Sequence, residues 1–328
     1  MQKKAFVTGG TGFIGINLIK LLLEEGWEVT ALHRASSDLT YLGKLPVKRK
    51  VGSVTDLNSL VEAFPNDIDT VFHLAGDTGL WARNNDIQTA VNVNGTSNML
   101  KTTLRFDVKH FIFTSSASVW SDMSNKHIHE GLQKKGNESW VNYERSKWLA
   151  EQEVLKYAGS KMKVVILNPT TVTGPYDVNN WGKLFNGLKQ GKLPGIPNGK
   201  ISVTHVKDVA VAHLQAVEKG KNANSYILSG VDCHFKTLIR EISNIIQIEK
   251  IPPSIPDFVF KSLAQVQCLT SLFTRKKPDL TPELVKIMTR KNLSYSNDKA
   301  KQELGYQITP LRETLQDCYH WLVKEGYL

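Results

Sequence analysis

The chain has 328 residues, 41% of them hydrophobic and 22% charged, with a formal net charge of +10. These values fit a soluble globular protein with one large or two fused domains. The basic residues are mostly dispersed, clustering only at Lys48-Arg49-Lys50 and Arg275-Lys276-Lys277; without an aromatic-interleaved pattern they argue against nucleic acid and for anionic cofactors or lipids.

The first strand is expected directly after Met1-Gln2-Lys3-Lys4, which leaves no room for a signal peptide. No apolar run is long enough to cross a bilayer. Cys233, Cys268 and Cys318 lie far apart, without metal-ligand spacing. A cytoplasmic protein with reduced thiols and no metal site is therefore expected.

An apolar β-type run, Ala5-Phe6-Val7, leads into Thr8-Gly9-Gly10-Thr11-Gly12-Phe13-Ile14-Gly15 and then into a helical pattern, Ile16 to Leu23. Strand, glycine turn and helix in this order form a dinucleotide-binding context. Gly9 permits the tight turn, Gly12 lets backbone approach a pyrophosphate, and Gly15 lets the helix pack close to the sheet. The pyrophosphate is expected on the helix N-terminus, where free N–H groups attract anions. A second strand, Glu28 to Leu32, ends at His33-Arg34-Ala35-Ser36-Ser37. An acid here would hold a ribose 2′-hydroxyl, whereas an arginine pairs with a 2′-phosphate. Arg34, with no acid before Asp38, predicts NADP(H) as cofactor.

A third strand at Val47 to Val51 leads to Gly52-Ser53-Val54 and a helix that Asp56 is expected to cap. Asp69 to His73 forms a fourth strand that ends in Leu74-Ala75-Gly76, small residues suited to a cofactor lying across a sheet edge. A helix from about Asp86 to Arg105 carries Asn92. A fifth strand, His110 to Thr114, ends at Ser115-Ser116-Ala117-Ser118. The long polar loop to Trp140 reads as a mobile rim. The next helix carries Tyr143 and Lys147, and a sixth strand, Lys163 to Leu167, closes on Asn168-Pro169. This alternation predicts an α/β fold, a doubly wound parallel sheet of Rossmann type, with a smaller C-terminal substrate-binding α/β region. The boundary is expected near Asn168: residues 1–168 bind dinucleotide, and 169–328 mainly bind substrate while interleaving in part with the Rossmann sheet. Longer helices are predicted near Val206 to Lys219, Phe235 to Ile246, Phe258 to Phe273 and Leu311 to Glu325.

Tyr143 and Lys147 stand one helical turn apart on one face. A phenol ionises near pH ~10, and a neighbouring ammonium lowers that value. Ser116, at a strand end, is placed to hydrogen-bond a carbonyl oxygen. Together the three side chains suit carbonyl polarisation and proton relay.

The sequence resembles an extended short-chain dehydrogenase/reductase over nearly its whole length. The resemblance rests on Thr8 to Gly15, Phe72 to Gly76, Asn92 to Thr96, Phe113 to Ser116, Tyr143 with Lys147, Asn168 to Pro175 and Val203 to Ala210. Within that family it is most similar to dihydroflavonol-4-reductase-like proteins, through Arg34, Leu80-Trp81-Ala82-Arg83, the Asn168 to Pro175 run and the tail around Leu280 to Tyr306. The resemblance implies Ser116 on the substrate oxygen, Tyr143 as general acid, and Lys147 tuning Tyr143 and holding ribose, with Asn92 in a proton relay. It further implies cofactor contacts from Gly9, Thr11, Gly12, Phe13, Ile14, Gly15, Arg34, Ser53, Val54, Leu74, Ala75, Gly76, Lys147, Asn168 and Thr170. Ser53 stands where the family often has an acid against adenine, which weakens that contact. A homodimer is implied as well.

Expected substrate contacts are Thr78, Trp81, Ser118, Trp120 and Trp181, with Leu80, Thr170 and Val172 nearby. Their apolar character leans toward a hydrophobic ketone or aldehyde. A sugar-nucleotide epimerase or dehydratase would use the same triad, as would a 3-hydroxysteroid-type dehydrogenase. The apolar stretch Phe258 to Phe273, flanked by Arg275-Lys276-Lys277, fits either a lid or core helix or a peripheral membrane contact.

Overall fold

The computed structural model describes residues 2–121, 127–291 and 293–328. Strand β1 (Lys4–Thr8) runs through the glycine turn into α1 (Phe13–Glu24), followed by β2 (Glu28–His33), β3 (Lys48–Val51), α2 (Leu57–Ala63) and β4 (Thr70–His73). Asp56 caps α2 as expected, accepting from the N–H groups of Asn58 and Ser59. The helix expected over Asp86 to Arg105 is instead α3 (Asn85–Thr89) and α4 (Gly95–Arg105), joined by a π-helical turn at Ala90–Asn94. The wider turn carries Asn92, which is only 1% exposed; such bulges re-aim a side chain inside a helix.

Next come β5 (His110–Thr114), β6 (His127–Ile128), α5 (Asn142–Leu155) and β7 (Lys163–Pro169). Part of the polar loop expected as a rim, 122–126, lies outside the described residues. The remainder packs on α5: a Cβ on Gly136 would stand 2.6 Å from the Trp148 Cβ. The chain continues through β8 (Thr171–Thr173), α6 (Lys183–Lys189), β9 (Lys200–His205), α7 (Val206–Lys219), β10 (Asn224–Leu228), β11 (Val231–His234), α8 (Phe235–Ile245) and α9 (Asp257–Thr274). It ends with α10 (Pro282–Met288), β12 (Ser294–Tyr295), α11 (Asp298–Leu304) and α12 (Leu311–Lys324).

The main sheet has seven parallel strands in the order β10-β7-β5-β4-β1-β2-β3. Its chain order reverses between β1 and β4, the place where doubly wound sheets open a ligand crevice at their C-terminal ends. Alternating side chains feed two cores. Ala5 and Val7 meet α1 and α7 on one face, while Phe6 joins Leu60, Met99 and Val154 on the other. The basic cluster Lys48-Arg49-Lys50 is the exposed edge strand β3, where charge discourages pairing with another chain. Strands β8, β9 and β11 form a small second sheet that packs with α6, α8 and α12 around Phe185, Phe235 and Leu322.

Candidate active site

The glycine turn lies at the point of strand reversal. Gly9 has φ +73°, and a Cβ there would stand 2.7 Å from the Ala75 nitrogen, so the ends of β1 and β4 touch. A Cβ on Gly15 would come within 2.2 Å of the Gly9 carbonyl oxygen. This close approach is between helix and turn, where packing of helix against sheet was expected. Gly12 is exposed and caps α1 without any side chain, which leaves the first helical N–H groups open. An uncapped helix end above a side-chain-free turn fits a pyrophosphate.

A hydrogen-bonded strut braces this cradle. The Thr8 hydroxyl accepts from the Ala75 N–H at 3.2 Å and meets His73 Nδ1 at 2.7 Å. Thr96 donates to the Asn92 carbonyl, so His73 Nε2–H donates to Thr96 at 3.1 Å, and Nδ1 takes the Thr8 proton. Burial, with help from the Lys147 charge, pushes His73 down to about 3, so it stays neutral. On the opposite side Asn92 grips the turn after Gly76. Its Oδ1 accepts from Asp77 N–H at 2.7 Å, and its Nδ2 reaches the Asp77 carbonyl and the Ser146 hydroxyl.

Ser116, Tyr143 and Lys147 meet at the C-terminal ends of β4 and β5. Ser116 Oγ accepts from both the N–H and the hydroxyl of Ser118, at 3.2 and 2.9 Å, so its own proton is free to be donated. The Tyr143 phenol lies beside it. Burial raises the phenol above its ordinary value; the Ser116 hydroxyl opposes this, while Glu144 and Asp77 reinforce it. The drop expected from Lys147 is not seen. Its ammonium donates to the Thr114 carbonyl at 2.9 Å, and burial prevails at the phenol. Burial also brings Lys147 itself down to about 8. A Cβ on Gly76 would stand 3.0 Å from Lys147 Nζ, which places the ammonium at the cradle's edge.

Two buried carboxylates behind these groups escaped the sequence reading. Glu151 accepts from Lys134 and from Asn168 Nδ2, each at 2.6 Å, and Asn168 also donates to the Ser116 carbonyl. Glu144 takes the Ser139 and Ser121 hydroxyls, Lys286 at 3.3 Å, and Arg290. Burial pushes the Glu144 carboxyl up, but Arg290, Ser139 and Lys286 outweigh it and hold it below the usual range. In sequence both glutamates read as ordinary helix charges, because Glu144's partners lie 142 and 146 positions away.

Several expected contacts are placed differently. Asn168 is fully buried, fixing the Ser116 loop from behind rather than facing the cleft. Val54 turns inward against Gly95. Trp120 is fully buried, its indole N–H on the Leu132 carbonyl, so it is core and not pocket wall. Trp181 packs on Phe235 within the small second core, and Val172 lies in the main one. Thr170 bonds Thr204 at 2.7 Å. Ser53, half-buried, pairs with the Thr55 hydroxyl. Arg34 is exposed and has no ion-pair partner among the described residues. Asp38, the nearest acid, is committed to Thr40, whose hydroxyl and N–H hold its carboxyl below the usual range. Thr78 is exposed, and Leu80 and Trp81 are half-buried beside the Gly76 turn, with the Arg83 guanidinium 5.8 Å above the Trp81 ring.

Residues 5–228 match the model of the NAD dependent epimerase/dehydratase family. The chain belongs to this family. It is an extended short-chain dehydrogenase/reductase, 30% identical over 332 residues to a putative dihydroflavonol 4-reductase of Synechocystis sp., with 98% of this chain and 95% of the relative covered. The crystal structure of gox2253 superposes with a TM-score of 0.84 at 29% identity, covering all of both chains. WbmH of Bordetella bronchiseptica, solved in complex with NAD+, shares the fold at TM-score 0.78 and 22% identity, over 99% of this chain and all of that one. The protein is thus an extended short-chain enzyme whose chemistry depends on a nicotinamide dinucleotide, and the Gly9–Gly15 cradle fits such a group.

Proposed function

We propose that the protein is an NADPH-dependent reductase of a hydrophobic ketone or aldehyde. The observation that carries this reading is the gathering of Ser116, Tyr143 and Lys147 at the strand ends, Lys147 standing one turn along the helix from Tyr143 with its ammonium on the Thr114 carbonyl. When bound, the nicotinamide supplies the hydride. Ser116 donates its free proton in a hydrogen bond to the substrate oxygen, and Tyr143 delivers the proton that completes the alcohol. Burial keeps the phenol protonated at neutral pH, as an acid in the reductive direction requires. Lys147, at the cradle's edge, holds the ribose. Residues 1–168 then supply most of the dinucleotide site, and residues 169–328 mainly the substrate side.

The NADP preference rests on Arg34, free to pair with a 2′-phosphate, and on Asp38, already occupied by Thr40. The substrate class rests on the apolar or hydroxyl side chains beside the turn, Thr78, Leu80, Trp81 and Ser118, and on the reductase name of the Synechocystis relative. An absorbance screen of NADPH and NADH oxidation over aliphatic, aromatic and polycyclic carbonyls tests the reading. Turnover should favour NADPH, and Tyr143→Phe should lose about 10²–10⁴-fold in kcat while retaining NADPH binding. Full turnover by Tyr143→Phe would remove its role. Interconversion of a sugar nucleotide without net NADPH loss would identify an epimerase instead. Arg34→Ala should weaken NADPH by about ten- to a hundredfold and leave NADH unchanged, the loss expected for one charge-assisted pair.

A further inference from the structure

Helix α9 has a buried and an exposed side. Phe260, Ala264 and Ser271 face inward, the first two packing with Leu280 and Val285 of the α10 region. The opposite face is apolar and open: Phe273 is 89% exposed, Phe258 69%, Leu272 66%, Leu269 60% and Val266 57%. At the 3.6-residue period the five share one side of the helix: Val266, Leu269, Leu272 and Phe273 form a patch over its C-terminal half, and Phe258 stands apart beyond the exposed Ser262 and Gln265. Large apolar side chains scattered singly on a surface need no explanation, but four gathered on one helix face do.

Charge identifies what covers it. From Phe258 to Pro278 there is no acidic residue, while Lys261, Arg275, Lys276 and Lys277 are basic and exposed. The helix stops at Arg275, which takes a left-handed φ of +56°, so the three consecutive basic residues follow the apolar patch directly. An apolar helix face with a cationic end is the pattern of a helix lying in a bilayer interface, where anionic headgroups meet the basic residues. No helix among the described residues is long and apolar enough to cross a membrane.

We infer that α9 is a docking surface for an anionic lipid bilayer, into which Phe258, Leu269, Leu272 and Phe273 insert while Arg275, Lys276 and Lys277 bind headgroups. The inference stands independently of the reductase reading. Where both hold, docking also serves catalysis: α9 packs on α10, and Lys286 of α10 is paired with Glu144, the neighbour of Tyr143 on α5. A hydrophobic carbonyl leaving the bilayer would then emerge on the part of the molecule tied to the catalytic helix.

The test is co-sedimentation of the full chain with vesicles of phosphatidylcholine alone and of equal parts phosphatidylcholine and phosphatidylglycerol, at low and high salt. Capture by the anionic vesicles at low salt, and release at high salt, is expected. Replacing Arg275, Lys276 and Lys277 together by Ala should weaken binding about a hundredfold, from roughly 1 kcal/mol per basic residue. The double variant Leu269→Glu with Phe273→Glu should lose binding while keeping the wild-type melting temperature. No capture by either vesicle, equal capture by phosphatidylcholine alone, or undiminished capture of the double variant would each overturn the inference. So would a wild-type dimer that the double variant turns into a monomer, since the patch would then belong to a second copy.

Discussion

Lys147, the lysine proposed to hold the ribose, shows how a site residue can work against stability. It is 4% exposed, and its ammonium is brought down to about 8 by burial, with Glu151 only partly opposing. The unfolded lysine titrates near 10.5, so between these values the unfolded chain binds the extra proton and stability rises with pH; at neutral pH the buried charge is a full liability. Lys147→Met should therefore stabilise the fold by roughly 1–3 kcal/mol after loss of the Thr114 hydrogen bond, while abolishing turnover. Thermal melting at pH 7 checks the gain, and an unchanged or lower melting temperature counts against it. Lys147 and Tyr143 were legible in sequence because their spacing is local. What surrounds them was not, and so the sign of the shift at Tyr143 could not be read. Spacing says that an ammonium is near; only the structure shows it turned to a backbone carbonyl with burial left to dominate. Trp120 teaches the same point, since an aromatic near a site looks alike in sequence whether it lines a pocket or fills a core.

Elements were legible where a period repeated and missed where one residue or one short run decided. α1, α7 and β5 follow their apolar patterns. β10 did not stand out, because Asn224-Ser225 at its start reads as loop; its strand character comes from pairing with β7 at the edge of the parallel sheet. The π turn around Asn92 is invisible to a 3.6-residue pattern, since it exists to seat one amide on the Asp77 turn. The glycine turn is the opposite case, where motif and geometry agree so closely that a single methyl tests them. Gly15→Ala would push a Cβ against the Gly9 carbonyl. Helix and turn must then separate, at about 1–3 kcal/mol of overpacking. Dinucleotide affinity should fall at least about tenfold, because the N–H groups and the turn no longer share one geometry. Gly159→Ala is the control, with nothing within 4 Å of the added methyl. Equal melting temperatures and equal cofactor titrations for the two variants would refute this account of the cradle.

At the scale of the molecule, each face of the sheet is bolted to the site by one neutral histidine. On one face His73 of β4 links Thr8 of β1 to Thr96 of α4, and Thr8 in turn holds the Ala75 N–H of the cradle. On the other, His213 of α7 donates from Nδ1 to the Val209 carbonyl and accepts at Nε2 from the Thr114 hydroxyl, while the Thr114 carbonyl holds Lys147. Burial holds His73 near 3 and His213 near 4, against 6.5 for an exposed imidazole. Between those values the unfolded chain binds two protons that the folded chain refuses, so stability falls as pH drops below 6.5. Each histidine contributes about 2 kcal/mol of loss between pH 6.5 and pH 5. Asp177 and Asp232 work in the opposite sense: burial raises their carboxyls above 3.8, so they favour the fold on acidification and oppose part of the loss. Urea midpoints at pH 7 and pH 5 measure the balance, and the midpoint should fall clearly at pH 5. His213→Gln keeps a neutral donor and acceptor but cannot take up the proton, so it should remove about a third to a half of that fall, the rest coming from His73 and from His110, whose imidazole burial also lowers. An unchanged pH dependence in this variant would mean that acid sensitivity lies elsewhere. Because both histidines end on Thr8 and Thr114, acid should release the cradle and Lys147 as the sheet's two faces loosen, and cofactor binding should be lost over the same pH range as the fold.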